Sequence, residues 1–208
     1  MVVLQNGVEH VERVVSHVHG ATILPSLVWI SAEFVGPGQV TIGAEMKPRI
    51  QVPAGDPGAA FAALMAGGSL DVELVDDFTT ALWRKLAVNA VTGLMALTGC
   101  RMSVYRRENI ADVVRALAGE CLAVARAEGA ELPPETPDAL VDHFCSLPPD
   151  TGSSILFDRL AGRPLEWDAL NGVVRRVGRR HGIPTPVSDV VAPLLAAVSE
   201  RCGSLAVS

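Results

Sequence analysis

Apolar and polar positions change rhythm once along this chain. Up to Gly67-Gly68 the apolar residues fall in short, largely β-branched runs closed by turn residues, and from Asp76-Asp77 onward they return with a period near 3.6. Val2-Val3-Leu4 stops at Gln5-Asn6-Gly7, which predicts a short buried strand whose polar residues sit at its C-terminal edge. Further strands are expected over residues 21–24, 26–34, 40–42 (after the turn Gly36-Pro37-Gly38) and 70–75, so the N-terminal third reads as β-rich. Asp76 or Asp77 is the expected N-cap of the first long helix, which carries Lys85 and Asn89. Helices are then expected over residues 109–128, ending at Gly129, and 137–145, broken by Pro148-Pro149. Two more are expected over 164–180, closing at Gly182, and 187–202, closing at Gly203, with Pro184 and Pro186 separating that last pair.

Composition narrows the class. The 208 residues are 49% hydrophobic and 19% charged, enough to bury a full core as one large domain or two small ones. A net charge of -6 argues against a nucleic-acid partner, and the densest basic patch, Arg175, Arg176, Arg179 and Arg180, reads as a solvated or nucleotide-facing end of a helix. Cys100, Cys121, Cys145 and Cys202 form no CxxC pair, and His17 and His19 flank a single valine with no carboxylate arranged around them. The expectation is reduced thiols in a cytoplasmic protein with no metal. Apolar runs are too short to span a bilayer, so no membrane partner is expected. A chain opening directly on a buried strand also suggests that part of a sheet lies upstream.

The chemistry-bearing segment is Leu82-Trp83-Arg84-Lys85-Leu86-Ala87-Val88-Asn89. Residues i and i+4 share a helix face, so Lys85 and Asn89 project side by side among Leu82, Leu86, Val88, Leu94 and Met95. Desolvation lowers an amine's pKa toward the range in which it can hand over a proton at neutral pH. The plain alternative is a lysine snorkelling from the helix edge beside an asparagine bonded to its own backbone. Taken singly, Glu166 reads equally as a first-turn carboxylate after Pro164, and Ser154 as a helix N-cap.

Five segments in order change that balance: Leu4-Gln5-Asn6-Gly7, Trp83 through Asn89, Ser154-Ile155-Leu156-Phe157-Asp158, Glu166-Trp167-Asp168-Ala169-Leu170-Asn171-Gly172, and Gly182-Ile183-Pro184-Thr185-Pro186. Their order and spacing resemble the ketopantoate reductases (2-dehydropantoate 2-reductases), with LQNG, WxKLxxN, S-M-x-Q-D, E-x-D-x-L-N-G and G-I-x-T-P motifs. The resemblance implies an α/β remnant, a partial Rossmann-like sheet over residues 1–75, followed by an all-helical C-terminal domain over 76–208 similar to that of 6-phosphogluconate dehydrogenase. It implies an oxidoreductase passing a hydride from NADPH to 2-dehydropantoate in pantothenate biosynthesis, with the site in a cleft between domains. By motif, Lys85 matches the catalytic lysine that protonates the forming alkoxide, Asn89 and Ser154 match substrate-binding residues, Asn6 matches the amide near nicotinamide and substrate, and Glu166 matches the glutamate at the nicotinamide end of NADP(H).

The sequence departs from the family at several points. Gly93 stands where a second asparagine is common, and Ile155 and Phe157 replace the Met and Gln of S-M-x-Q-D. Thr151 replaces an asparagine. No G-x-G-x-x-[GA] phosphate loop occurs in these residues, which predicts weak or absent turnover by this chain alone. Two other readings stay open: reduction of a different 2-oxo acid, and a non-catalytic helical module that forms homodimers through an exposed sheet edge.

Overall fold

A computed structural model describes residues 1–30, 32–42 and 48–205. The chain divides into two units, Met1–Leu82 and Trp83–Ser208, the division falling inside one long helix.

The first unit contains β1 (Val2–Leu4), α1 (His10–Val14), β2 (Leu24–Trp29), β3 (Ala32–Gly36), β4 (Gln39–Ile42), β5 (Arg49–Pro53), α2 (Asp56–Met65) and β6 (Asp71–Val75). One mixed sheet has the order β1-β2-β5-β6, with β1 parallel to β2, β2 antiparallel to β5, and β5 parallel to β6. A separate antiparallel hairpin joins β3 to β4. Side chains alternate across a strand, so Leu24 and Leu27 of β2 serve opposite faces. Leu24, Ile50 and Val52 pack with Val2, Phe61, Leu70 and Val72 on one, while Leu27, Phe78 and Ala81 pack with Trp29, Val75 and Leu82 on the other.

Two expectations fail in this unit. The strands expected at 21–24 and 26–34 are instead one strand, β2, followed by β3, with Ser31 outside the described residues. Pro25, which separates the two expected strands, lies inside β2. Leu24 donates its N–H to the Met1 carbonyl at 2.8 Å, so the backbone of Leu24 faces β1 and that of Pro25 faces the other way. Pairing with β5 begins only at Leu27, so the missing proline N–H costs no ladder bond. The N-terminal third also holds two helices that its β-rich pattern concealed. In α2, Phe61 supplies the apolar contact to the sheet and Gly58 the close approach: a Cβ on Gly58 would lie 2.2 Å from the Pro53 carbonyl oxygen, closer than an alanine allows.

The second unit is helical. The long helix α3 (Phe78–Thr98) leads into a 3-10 turn at Met102–Arg106, then α4 (Glu108–Ala127), α5 (Thr136–Ser146), α6 (Ser154–Leu160), a π-helical turn at Asp168–Gly172 running into α7 (Val173–Arg180), and α8 (Pro186–Leu205). Asp77 caps α3, its carboxylate accepting the Thr80 N–H at 2.9 Å. The α4 helix ends at Gly129, whose φ of 87° suits glycine. The helix expected from Pro164 begins later, at Trp167; ahead of it the Leu165 N–H donates to the Ser199 hydroxyl at 2.8 Å. The last helix runs past Gly203 to Leu205 instead of closing there. Its N-terminus is held from α4, where the Glu120 carboxylate accepts the Val187 N–H at 2.6 Å, the Ser188 N–H at 2.8 Å and the Ser188 hydroxyl at 2.6 Å. No helix among the described residues is long and apolar enough to cross a membrane.

Candidate active site

Lys85 lies on the buried face of α3, 7% exposed, between Trp83 at 2% and Leu86 at 1%. The helix forms there because Leu, Ala and Val positions between Ala81 and Ala96 supply a nearly continuous apolar surface behind a good N-cap. Burial is the larger influence on the amine and lowers its pKa from 10.5 to about 8; the carboxylate of Glu166 acts in the opposite sense and favours the ammonium. At neutral pH the group is therefore still charged, yet it holds its proton far less tightly than a solvated lysine.

Glu166 is exposed and stands immediately before the helical turn that begins at Trp167. Its carbonyl accepts the Leu170 N–H at 3.2 Å, tying its backbone to the π-helical turn. Gly172 leaves room there for the Asp168 carboxylate, which a Cβ would meet at 2.6 Å. Asp168 instead accepts from the Arg176 guanidinium at 2.9 Å. Lys85 and Glu166, far apart in sequence, are thus brought within electrostatic reach of each other.

The remaining expected site residues are placed as follows. Asn89 is half-buried, one turn beyond Lys85 on α3. Ser154 is the exposed first residue of α6; the cap is its neighbour Ser153, whose hydroxyl accepts the Leu156 N–H at 3.4 Å, so Ser154 is not occupied as the N-cap. Asn6 is half-buried just after β1 in the first unit. Phe157, standing where an amide is usual, packs its ring so closely on Gly152 that a Cβ there would lie 2.3 Å away, and carries the Arg101 guanidinium 5.8 Å from its ring centre. Gly93 is buried, and a side chain there would meet the Asn171 carboxamide oxygen at 2.8 Å. Asn171, 1% exposed, donates its amide N–H to the Ala90 carbonyl at 2.8 Å. Sequence reasoning assigned Asn171 no role; the signal was an asparagine between Leu170 and Val173-Val174 on an otherwise apolar face.

The four arginines of α7 each face a carboxylate: Arg175 and Arg179 reach Asp189 at 2.7 and 3.2 Å, Arg176 reaches Asp168, and Arg180 lies 3.8 Å from Glu128. Three carboxylates thereby offset most of the charge of these four arginines. Among the described residues no group of His, Cys, Asp and Glu is placed to hold a metal, and Cys100, Cys121, Cys145 and Cys202 are free thiols. Burial pushes the Cys121 thiol up to about 12, which makes it inert as a nucleophile.

Comparison with known proteins gives this arrangement its family. Residues 77–199 match the family described as Ketopantoate reductase PanE/ApbA C terminal. A 2-dehydropantoate 2-reductase of Mycobacterium tuberculosis (strain H37Rv) is 48% identical over 97% of this chain, which spans 68% of that protein. Among solved structures, the dimeric ketopantoate reductase of Staphylococcus aureus superposes with a TM-score of 0.87 at 25% identity, covering 97% of this chain and 68% of its own. The PanE/ApbA family ketopantoate reductase of Ralstonia eutropha JMP134 does so with a TM-score of 0.86 at 31% identity, covering 97% and 67%. With a family match across most of the helical unit and a relative nearly half identical over almost the whole of these 208 residues, this chain belongs to the ketopantoate reductase family.

Proposed function

We propose that this chain carries the proton-donating and substrate-binding groups of a 2-dehydropantoate 2-reductase, which reduces 2-dehydropantoate to pantoate in pantothenate biosynthesis with NADPH. The observation that supports this most directly is Lys85: a buried amine with a pKa lowered to about 8, beside a carboxylate, on the helix that carries the WxKLxxN motif. Of the chain's 17 basic residues only Lys47 and Lys85 are lysines. An arginine at position 85 could not release a proton, whereas a desolvated lysine can.

When bound, a reduced nicotinamide supplies a hydride to the ketone carbon, leaving developing negative charge on the oxygen. Lys85 Nζ stabilises that charge and then transfers its proton to the oxygen, becoming a neutral amine. Glu166 keeps the amine protonated before transfer and would hold the nicotinamide end of the cofactor as a hydrogen-bond acceptor. Asn89 and Ser154 supply neutral donors to the substrate, and Asn6 is assigned to nicotinamide and substrate by its motif alone. An exposed carboxylate next to a buried amine fits the nicotinamide end of such a cofactor, while these residues contain no G-x-G-x-x-[GA] loop to hold its pyrophosphate. We assign a homodimer, following the dimeric Staphylococcus aureus relative, and the cytoplasm, where the four free cysteines stay reduced.

Mixed with NADPH and 2-dehydropantoate, the 208-residue protein is expected to oxidise NADPH below roughly 1 s⁻¹. That rate should fall above pH 8 as Lys85 loses its proton, and by about 100-fold or more in Lys85→Met. Measurable NADPH oxidation that is equal in parent and variant would refute the reading. Self-association without saturable NADPH binding would favour the interaction module instead.

One observation favours a second substrate. Gly93 and Phe157 both remove amides that the family motifs carry, and the space at Gly93 is already filled by Asn171. A panel of 2-oxo acids with larger apolar tails, compared by kcat/KM, separates this from 2-dehydropantoate reduction.

A further inference from the structure

Three features of the second unit converge on one small contact. Asn171 is 1% exposed, and its amide N–H donates to the Ala90 carbonyl. Its carboxamide oxygen is also buried, yet has no hydrogen-bond partner among the described residues. That oxygen occupies the notch left by the missing side chain of Gly93, where a Cβ would lie 2.8 Å from it and 3.0 Å from Leu195. A buried carbonyl without a partner is costly, and an apolar side chain of similar size would fill the same space without that penalty. The bond to Ala90 must therefore be judged by what it connects.

It connects the two segments that carry Lys85 and Glu166. Ala90 follows Lys85 on α3, and Asn171 lies in the π-helical turn whose Leu170 N–H bonds back to the Glu166 carbonyl. The path from the carboxylate to the amine is thus a short loop of backbone and side-chain bonds, closed at one point by the Asn171 amide. The π-helical register is what turns residue 171 inward, and Gly172 permits it.

We propose that Asn171, seated in the Gly93 notch, is a positioning residue that fixes the distance between Glu166 and the Lys85 amine and so sets how readily that amine gives up its proton. This rests on the reading of Lys85 as proton donor. Without the Ala90 bond the wide turn is free to tighten toward α-helical register, carrying Glu166 away from α3. The amine then keeps its burial and loses its counter-charge, so its titration moves downward.

Two lysines make the test direct: protein labelled with ¹³C at the lysine ε-carbon gives two resonances, and Lys85→Met identifies that of residue 85. In Asn171→Leu the Lys85 midpoint should fall by about half a pH unit, the direction also expected for Glu166→Gln. Combining the two substitutions should add little to either, because both remove the same interaction. Gly93→Ala, which displaces the carboxamide from the other side and leaves residue 171 intact, should give the same shift, so the inference does not depend on one variant folding. An unchanged midpoint in folded Asn171→Leu or Gly93→Ala, or shifts that add fully to that of Glu166→Gln, would overturn the positioning role while leaving Lys85 as donor. A parent midpoint near 10.5 would instead remove the donor reading itself.

Discussion

Replacing Lys85 by methionine is expected to make the protein more stable by about 2–3 kcal/mol at pH 7 while removing its capacity to donate a proton. The native amine has its pKa lowered from 10.5 to about 8, with burial outweighing the favourable charge of Glu166. Between those values the unfolded chain binds more protons than the folded one, so stability rises with pH across that window. Below pH 8 both states are protonated and the full cost of burying the ammonium is present; above 10.5 both are neutral and it is gone. Each pH unit of displacement corresponds to about 1.4 kcal/mol, which sets the upper bound near 3.5 kcal/mol. Methionine matches the stem of lysine in volume and carries no charge to desolvate. Urea denaturation of parent and variant at several pH values checks this: the advantage of Lys85→Met should be largest below pH 8 and vanish by about pH 10.5. A variant less stable than the parent at pH 7 would mean that the amine is held by contacts that outweigh its desolvation, and that no strain is stored at the site.

The second large effect is expected at Glu120. Its carboxylate takes both free N–H groups and the Ser188 hydroxyl at the start of α8, where Pro186 offers no N–H of its own. Charge-assisted hydrogen bonds to helix N-terminal donors are among the stronger ones, and Glu120→Ala leaves those donors without a protein partner. A loss of about 2–3 kcal/mol is expected, against about 1 kcal/mol for Glu120→Gln, which keeps an acceptor and loses the charge. The consequence reaches the site, because Ser199 of α8 accepts the Leu165 N–H next to Glu166. Hydrogen exchange should quicken at Val187 and Ser188 first and at Leu165 with them. Equal stability of parent and Glu120→Ala in urea would show that water replaces the carboxylate without cost.

These particulars also show where sequence reading succeeds and where it stops. The start of α3 and the end of α4 were legible because local chemistry decides them: a carboxylate at Asp77 for free N–H groups, and a glycine at 129 for a left-handed residue. The single strand β2 was not legible, since Pro25 looks like a break unless one knows that pairing with β5 starts only at Leu27. Nor was α2, where Phe61 is the one large residue packed on the sheet core and the alanines and Gly58 around it give no clear apolar stripe. At the site, the Lys85–Asn89 spacing was readable along one helix. The meeting of Lys85 with Glu166 is tertiary, and only the order of motifs pointed to it. The π-helical turn left no periodic signal at all, and its contacts, Gly172 beside Asp168 and Asn171 on Ala90, are tertiary or side-chain ones.

Residue 85 is an amine tuned by burial and a neighbouring carboxylate to give up a proton near neutral pH. Titrating the labelled ε-carbon of Lys85 between about pH 6 and pH 11 reads this directly, free of any need for turnover. Its midpoint should lie near 8 and move lower when Glu166 becomes glutamine. A midpoint at the ordinary 10.5, indifferent to residue 166, would contradict it.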